Sequence, residues 1–224
     1  MREVVDGVFE LSLGFVNMHV VLTDDGVVLV DTGLPRRAPR IDRALQEVQR
    51  KIGDVTTILL THFHFDHTGN VADLRTRSGA KVIAHAADAG FITGALTQPA
   101  PTRLIRLVYK LMGTAEPTKI DQLITTEESE PLPGFTALHT PGHTRGHVSY
   151  LLDRAGGVLF AGDAAAGRRG DITSGPRAAS ADPAEQDQSV RKLATHNFTH
   201  AVFGHGQPVT KAAADRFRTY AETL

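Results

Sequence analysis

Residues 58–70 read ILLTHFHFDHTGN, which sets His62, His64, Asp66 and His67 within six positions directly after an apolar run. No other stretch limits the fold as tightly, because four such side chains at the end of a buried strand call for a common partner, and the chemistry points to a metal. Residues two apart on an extended segment point the same way, so His62 and His64 can grip one ion together. Asp66 and His67 follow where the chain turns toward a helix, aim elsewhere, and suit a second ion. Zinc is usually held by four groups, with one position left to water in a catalytic site. Two metals therefore need ligands from further along the chain.

Three later stretches supply them. HTPGHTRGHVSY places His143 in a Gly-flanked loop after a strand, VLFAGDAA places Asp163 at a strand end, and AVFGHGQP places His205 between two glycines at another. A carboxylate such as Asp163 can bridge two cations, one oxygen to each, and two cations together activate a shared water and polarise an electrophile. His19, His85, His139, His196 and His200 read as ordinary polar loop residues.

The surrounding pattern is α/β. Strands are expected at Val4–Leu11, Val16–Thr23 and Val27–Asp31, with a turn at DDG, residues 24–26. Pro39–Val48 carries helical periodicity, TTILLT is a short buried strand, and a helix from Val71 and a strand at Lys81–Ala84 follow. The second half repeats the style, with strands at 135–139, 147–152, 157–161 and 201–203. One helix there starts at Asp182 as N-cap, with Pro183 next and Glu185 at the capping-box position, and a last helix begins near Lys211. These elements imply two packed sheets with helices outside, in a single domain over 1–224. Residues 86–130 are the least regular and read as a lid or insertion. Within them RLIRLVYKLMG has helical spacing suited to a lid or to a homodimer contact.

Composition narrows the partners. With 24 basic and 25 acidic residues the net charge is −1, and nothing suggests a nucleic-acid or membrane footprint. There is no cysteine, so disulfides and thiolate metal sites are excluded. MREVVDGVFELSLG lacks the apolar core of a secretory signal, and the expected location is cytoplasmic. The expected partner is a small-molecule substrate.

The order His-x-His-x-Asp-His, then a His, an Asp and a His at strand ends, resembles the metallo-β-lactamase fold superfamily over about residues 10–210. The resemblance implies an αββα sandwich of two mixed β-sheets flanked by helices. It implies that His62, His64 and His143 hold one metal, that Asp66, His67 and His205 hold the second, and that Asp163 bridges them. LVDTG at 29–33 also matches, which implies that Asp31 supports a ligand histidine from behind. The echo of the family loop in GHTRGH gives His147 a similar supporting role. The implied cofactors are two divalent ions, zinc by expectation, with iron and manganese also suiting such donors.

Function has to come from the site, since the fold serves many chemistries. β-Lactamases with a cysteine in the second site are excluded, and those with histidine there generally lack the bridging aspartate. Superfamily nucleases carry insertions for which this chain has little room. TPGHTRGHVSYLL followed by LFAGDA resembles glyoxalase II, but without recognisable glutathione-binding residues, and where acyl-homoserine lactonases place a tyrosine this sequence reads AAAGRRGDITSGP. The expected reaction is hydrolysis of a small thioester or lactone by a hydroxide held between the metals, with Asp66 and Asp163 catalytic. Arg168 and Arg169 are candidates for orienting an anionic substrate group. Rival readings are a persulfide dioxygenase holding one iron through His62, His143 and Asp163, a β-lactamase-like hydrolase with a non-antibiotic substrate, and a metal-binding module without turnover.

Overall fold

The computed structural model describes residues 1–99 and 111–224. A seven-stranded sheet runs in the order β1 (Arg2–Val5), β2 (Val8–Ser12), β3 (Asn17–Thr23), β4 (Gly26–Val30), β5 (Val55–Leu59), β6 (Lys81–His85) and β7 (Gln122–Ile124). β1 to β4 pair antiparallel and β4 to β7 pair parallel. A five-stranded sheet follows the order β14 (His200–Val202), β11 (Val158–Phe160), β10 (Val148–Leu152), β9 (Phe135–His139) and β8 (Glu128–Leu132). Its β11–β14 pair is parallel and the rest antiparallel. A separate hairpin joins β12 (Ala165–Arg168) to β13 (Asp171–Ser174).

The two sheets bury their facing sides against each other. Val8, Val21, Val28, Val30, Leu59 and Ile83 from the first meet Phe135, Val148, Tyr150, Val158, Phe160 and Val202 from the second. Alternation along each strand sends the neighbours to the other side. Val27 and Leu29 of β4, and Ile58 and Leu60 around the end of β5, pack outward against α1 (Ala38–Glu47) and α3 (Val71–Ser78) through Ile41, Ala44, Leu45, Val71 and Leu74. Leu159 and Ala161 likewise pack under α5 (Pro183–Ala194) and α6 (Ala213–Ala221) through Val190, Leu193 and Phe217. Strands buried on both faces explain why the sequence shows continuous apolar runs there. The result is the αββα sandwich.

Several elements differ from the sequence reading. The expected strand Val4–Leu11 is a hairpin, because Asp6-Gly7 forms a two-residue turn in which Gly7 takes φ 70 and Val5 pairs with Val8. The irregular stretch 86–130 contributes α4 (Ala89–Ile92), β7 and the start of β8. Most of the helix expected over 103–113 lies outside the described residues. His19, His85, His139 and His200 sit in strands rather than loops, and His85 stacks flat on His139 with ring centroids 4.1 Å apart. At α5, Asp182 accepts hydrogen bonds from Ala184 and Glu185 N–H, both at 3.0 Å, while its own N–H donates to the Gly142 carbonyl. That last bond ties the helix to the His143 loop in place of the reciprocal capping-box bond. Among the described residues no helix is long and apolar enough to cross a membrane.

Leu59 lies at the centre of the inter-sheet layer with no exposure. Leu59→Ala is expected to cost about 2–5 kcal/mol of unfolding free energy, read from urea midpoints at unchanged slope. A loss well below that range would mean that the layer collapses around the gap.

Candidate metal centre

The ends of β4, β5, β9, β11 and β14 meet at one edge of the sandwich. Asp31 follows β4 in a left-handed conformation, φ 62, which is uncommon outside glycine. Its Oδ1 accepts the Thr61 N–H at 2.8 Å, and its Oδ2 accepts the Thr61 hydroxyl and the His67 Nδ1–H, both at 2.8 Å. The Asp31 carboxylate thus joins the end of β5 to the short helix α2 (Phe65–Thr68). His62 and His64 lie on the extended approach to α2, whereas Asp66 and His67 are inside it. That change of backbone makes the two pairs point apart.

Two groups of donors result. His62 Nε2 and His143 Nε2 each lie 3.0 Å from His64 Nδ1. Asp66 Oδ2 lies 4.0 Å from His67 Nε2 and 3.7 Å from His205 Nε2. Asp163, buried between them, sets Oδ1 at 3.4 Å from His67 Nε2 and Oδ2 at 3.3 Å and 3.2 Å from His143 Nε2 and His205 Nε2. Gly204 leaves the room for this, since a Cβ there would come within 2.2 Å of Asp163 Oδ1. The Asp163 backbone is held from both sides: its N–H donates to His147 Nε2 at 2.9 Å and its carbonyl accepts from Gln186 Nε2 at 2.8 Å. His147 in turn donates from Nδ1 to the Thr140 hydroxyl oxygen at 2.8 Å.

The outer nitrogens fix the tautomers. The Thr61 hydroxyl donates to Asp31, so His62 Nδ1 donates to that hydroxyl oxygen at 3.0 Å. The Ser180 hydroxyl donates to Gln186 Oε1, so His143 Nδ1 donates to it at 3.1 Å. His205 Nδ1 donates to the Phe15 carbonyl at 2.7 Å. As neutral imidazoles, His62, His143, His67 and His205 would therefore all present inner lone pairs to one another or to carboxylate oxygens. His64 has one Nδ1–H to offer and two lone pairs facing it. His67 Nε2 and Asp163 Oδ1 are buried without any hydrogen-bond partner. Lone pairs converging on buried carboxylate oxygens repel unless a cation or protons lie between them, and this donor set fits metal ions.

Protonation follows the same division. Burial holds His62 and His143 well below the ordinary histidine range and brings His64 to about 4, so all three are neutral and ready to bind. Burial would also lower His67, but Asp163, Asp31 and Asp66 outweigh it and push it well up. His205 is raised in the same way, by Asp163 and Asp66 against burial. Burial would raise Asp163, yet His67, His205 and His143 hold it well below the usual carboxylate range.

A cavity of about 700 Å³ opens onto the cluster. His64, Asp66, His143, Asp163 and His205 form its floor, and Phe15, Phe63, Phe65, Phe91 and Pro99 line its sides, with Arg145 at the wall. Phe63 and Phe91 stack 4.2 Å apart, and Phe15 lies parallel to the His205 ring. Arg168 and Arg169 do not line it: they occupy the turn of the β12–β13 hairpin, where Arg168 pairs with Asp171 and Arg169 turns the chain at φ 55. Sequence reasoning passed over Thr61, Ser180 and Gln186, which hold histidines or Asp163 from behind. Only Thr61, adjacent to the histidine cluster, carried a local signal.

Residues 11–205 match the metallo-beta-lactamase superfamily. The chain belongs to that superfamily. It is similar to the protein named probable metallo-hydrolase YflN of Bacillus subtilis, 28% identical over 93% of this chain and 87% of the relative. A hydroxyacylglutathione hydrolase of Albidiferax ferrireducens is 30% identical over 85% of this chain and 67% of its own length. Among solved structures, the subclass B3 metallo-beta-lactamase BJP-1 of Bradyrhizobium japonicum superposes with a TM-score of 0.75 at 21% identity, covering 100% of this chain and 89% of that one, and shows the fold. Membership and these relatives make the chain a metal-dependent hydrolase.

Because His67 and His205 are raised and the other three imidazoles lowered, an ion held by Asp66, His67 and His205 would displace protons and one held by His62, His64 and His143 would not. Affinity at the former is expected to fall as pH drops below neutrality. Zinc titration calorimetry in buffers of different ionisation enthalpy reads the protons released, and equal release for both ions would contradict the assignment.

Proposed function

We propose that this superfamily member hydrolyses a small thioester or lactone with an apolar acyl portion, using two divalent cations, zinc by first choice. His62, His64 and His143 would hold one and Asp66, His67 and His205 the other. The observation that carries this reading is Asp163, whose two oxygens face inner nitrogens of both donor groups at 3.2–3.4 Å. When bound, the two cations would supply an activated water and polarise the substrate carbonyl.

The chain's own residues do the rest. Asp163 keeps the two groups at a fixed separation and lends a negative charge to each. Asp66, at the cavity floor, takes the proton that the attacking water gives up. Asp31 and His147 prevent His67 and Asp163 from turning away. The phenylalanine walls exclude water and take up the acyl chain, which sets the carbonyl over the floor.

Asp163→Ala should lower turnover by at least about 100-fold, the upper range for loss of a mere supporting contact, while the fold is kept by circular dichroism. Undiminished turnover would remove the bridging role. Within a series of acyl thioesters and lactones, kcat/KM should rise with chain length by up to about 0.8 kcal/mol, roughly fourfold, per methylene until the cavity is full. Phe91→Ala should flatten that rise. A series with no dependence on chain length would contradict the apolar substrate.

A further inference from the structure

Asp88 is a buried carboxylate between β6 and α4, 1% exposed, and the hydrolytic reading makes no use of it. Its Oδ2 accepts the Phe63 N–H at 3.1 Å and the Thr144 hydroxyl at 2.7 Å, and its Oδ1 accepts the Gly146 N–H at 2.8 Å. The Phe63 amide lies between His62 and His64, and Thr144 follows His143. One carboxylate, delivered by a third strand end, therefore fastens together the two loops that carry this imidazole trio. Those loops are distant along the chain, His64 and His143 being 79 residues apart.

Two further observations bear on its role. Gly146 makes the approach feasible, since a Cβ there would lie 2.7 Å from Asp88 Cγ and Oδ1. This accounts for the glycine in TRGH without any demand on φ. Burial pushes the Asp88 carboxyl up to about 6, against the three hydrogen bonds. A folded value above the unfolded one means that stability is lost as pH rises between the two, so ionised Asp88 weakens the fold at neutral pH. A residue kept for stability alone would avoid that charge.

We propose that Asp88 is a positioning residue: by clamping the His62–His64 and His143 loops it sets the spacing of their three inner nitrogens, and with it the affinity for the ion they hold. This rests on the reading that the trio binds a metal. Asparagine has the same shape, but its amide NH₂ must face either the Phe63 N–H or the Gly146 N–H, both obligate donors, so Asp88→Asn breaks one of these bonds and loosens the clamp.

The test measures zinc affinity by chelator competition on the full chain, stripped of metal and reloaded, in two backgrounds. His205→Ala leaves the trio to be read, and His64→Ala leaves the other donor group. Asp88→Asn is expected to weaken zinc by about 10–100-fold in the first background and to stay within about twofold in the second. Thr144→Val should give a smaller loss in the first background, and Thr144→Ser should restore it. These two read the clamp even where Asp88→Asn does not fold. An equal loss in both backgrounds, or none in the first with Thr144→Val also silent, overturns the proposal. Absence of zinc binding by the unsubstituted chain would instead overturn the metal reading beneath it.

Discussion

The carboxylate of Asp163, 2% exposed, faces imidazole nitrogens of His62, His67, His143 and His205 at 3.2–3.9 Å. A buried carboxylate ringed by lone pairs cannot persist without positive charge between them. In the metal-free chain protons on His67 and His205 supply it; in the loaded enzyme the cations would. The rest of the architecture serves this arrangement. The donors come from strand ends in both sheets, so the site exists only when the sandwich is closed.

Closure and site geometry are coupled through groups outside the cluster of donors. Asp31 links the ends of β4 and β5 to α2, Ser180 and Gln186 link the His143 loop and Asp163 to α5, and Asp88 links the loops after β5 and β9. These polar side chains find their partners in the backbone, hydroxyl, amide or imidazole groups of other segments. The low dielectric that strengthens these bonds also makes a lost partner expensive.

Much of this was legible in the sequence because the relevant signals are local. His62 through His67 are contiguous, and strands buried on both faces leave apolar runs such as VVLV at 27–30 and ILL at 58–60. The seven residues expected to gather do lie within reach of one another. What was not legible depended on tertiary approach. Asp88 looks like any acidic residue after a strand, and only folding brings it to Phe63 and Gly146. Arg168 and Arg169 follow Asp163 closely in sequence, but the hairpin β12–β13 carries them off, and Arg145 lines the cavity instead. The Asp6-Gly7 turn was missed because alternation continued across it, so one long strand and a hairpin gave the same apolar pattern.

The account stands on two ions sharing Asp163. Elemental analysis of protein purified without added metal tests it most directly. About two zinc, manganese or mixed ions per chain is the result it predicts. A single iron per chain would contradict it, and would move the chemistry from hydrolysis to oxidation of persulfides.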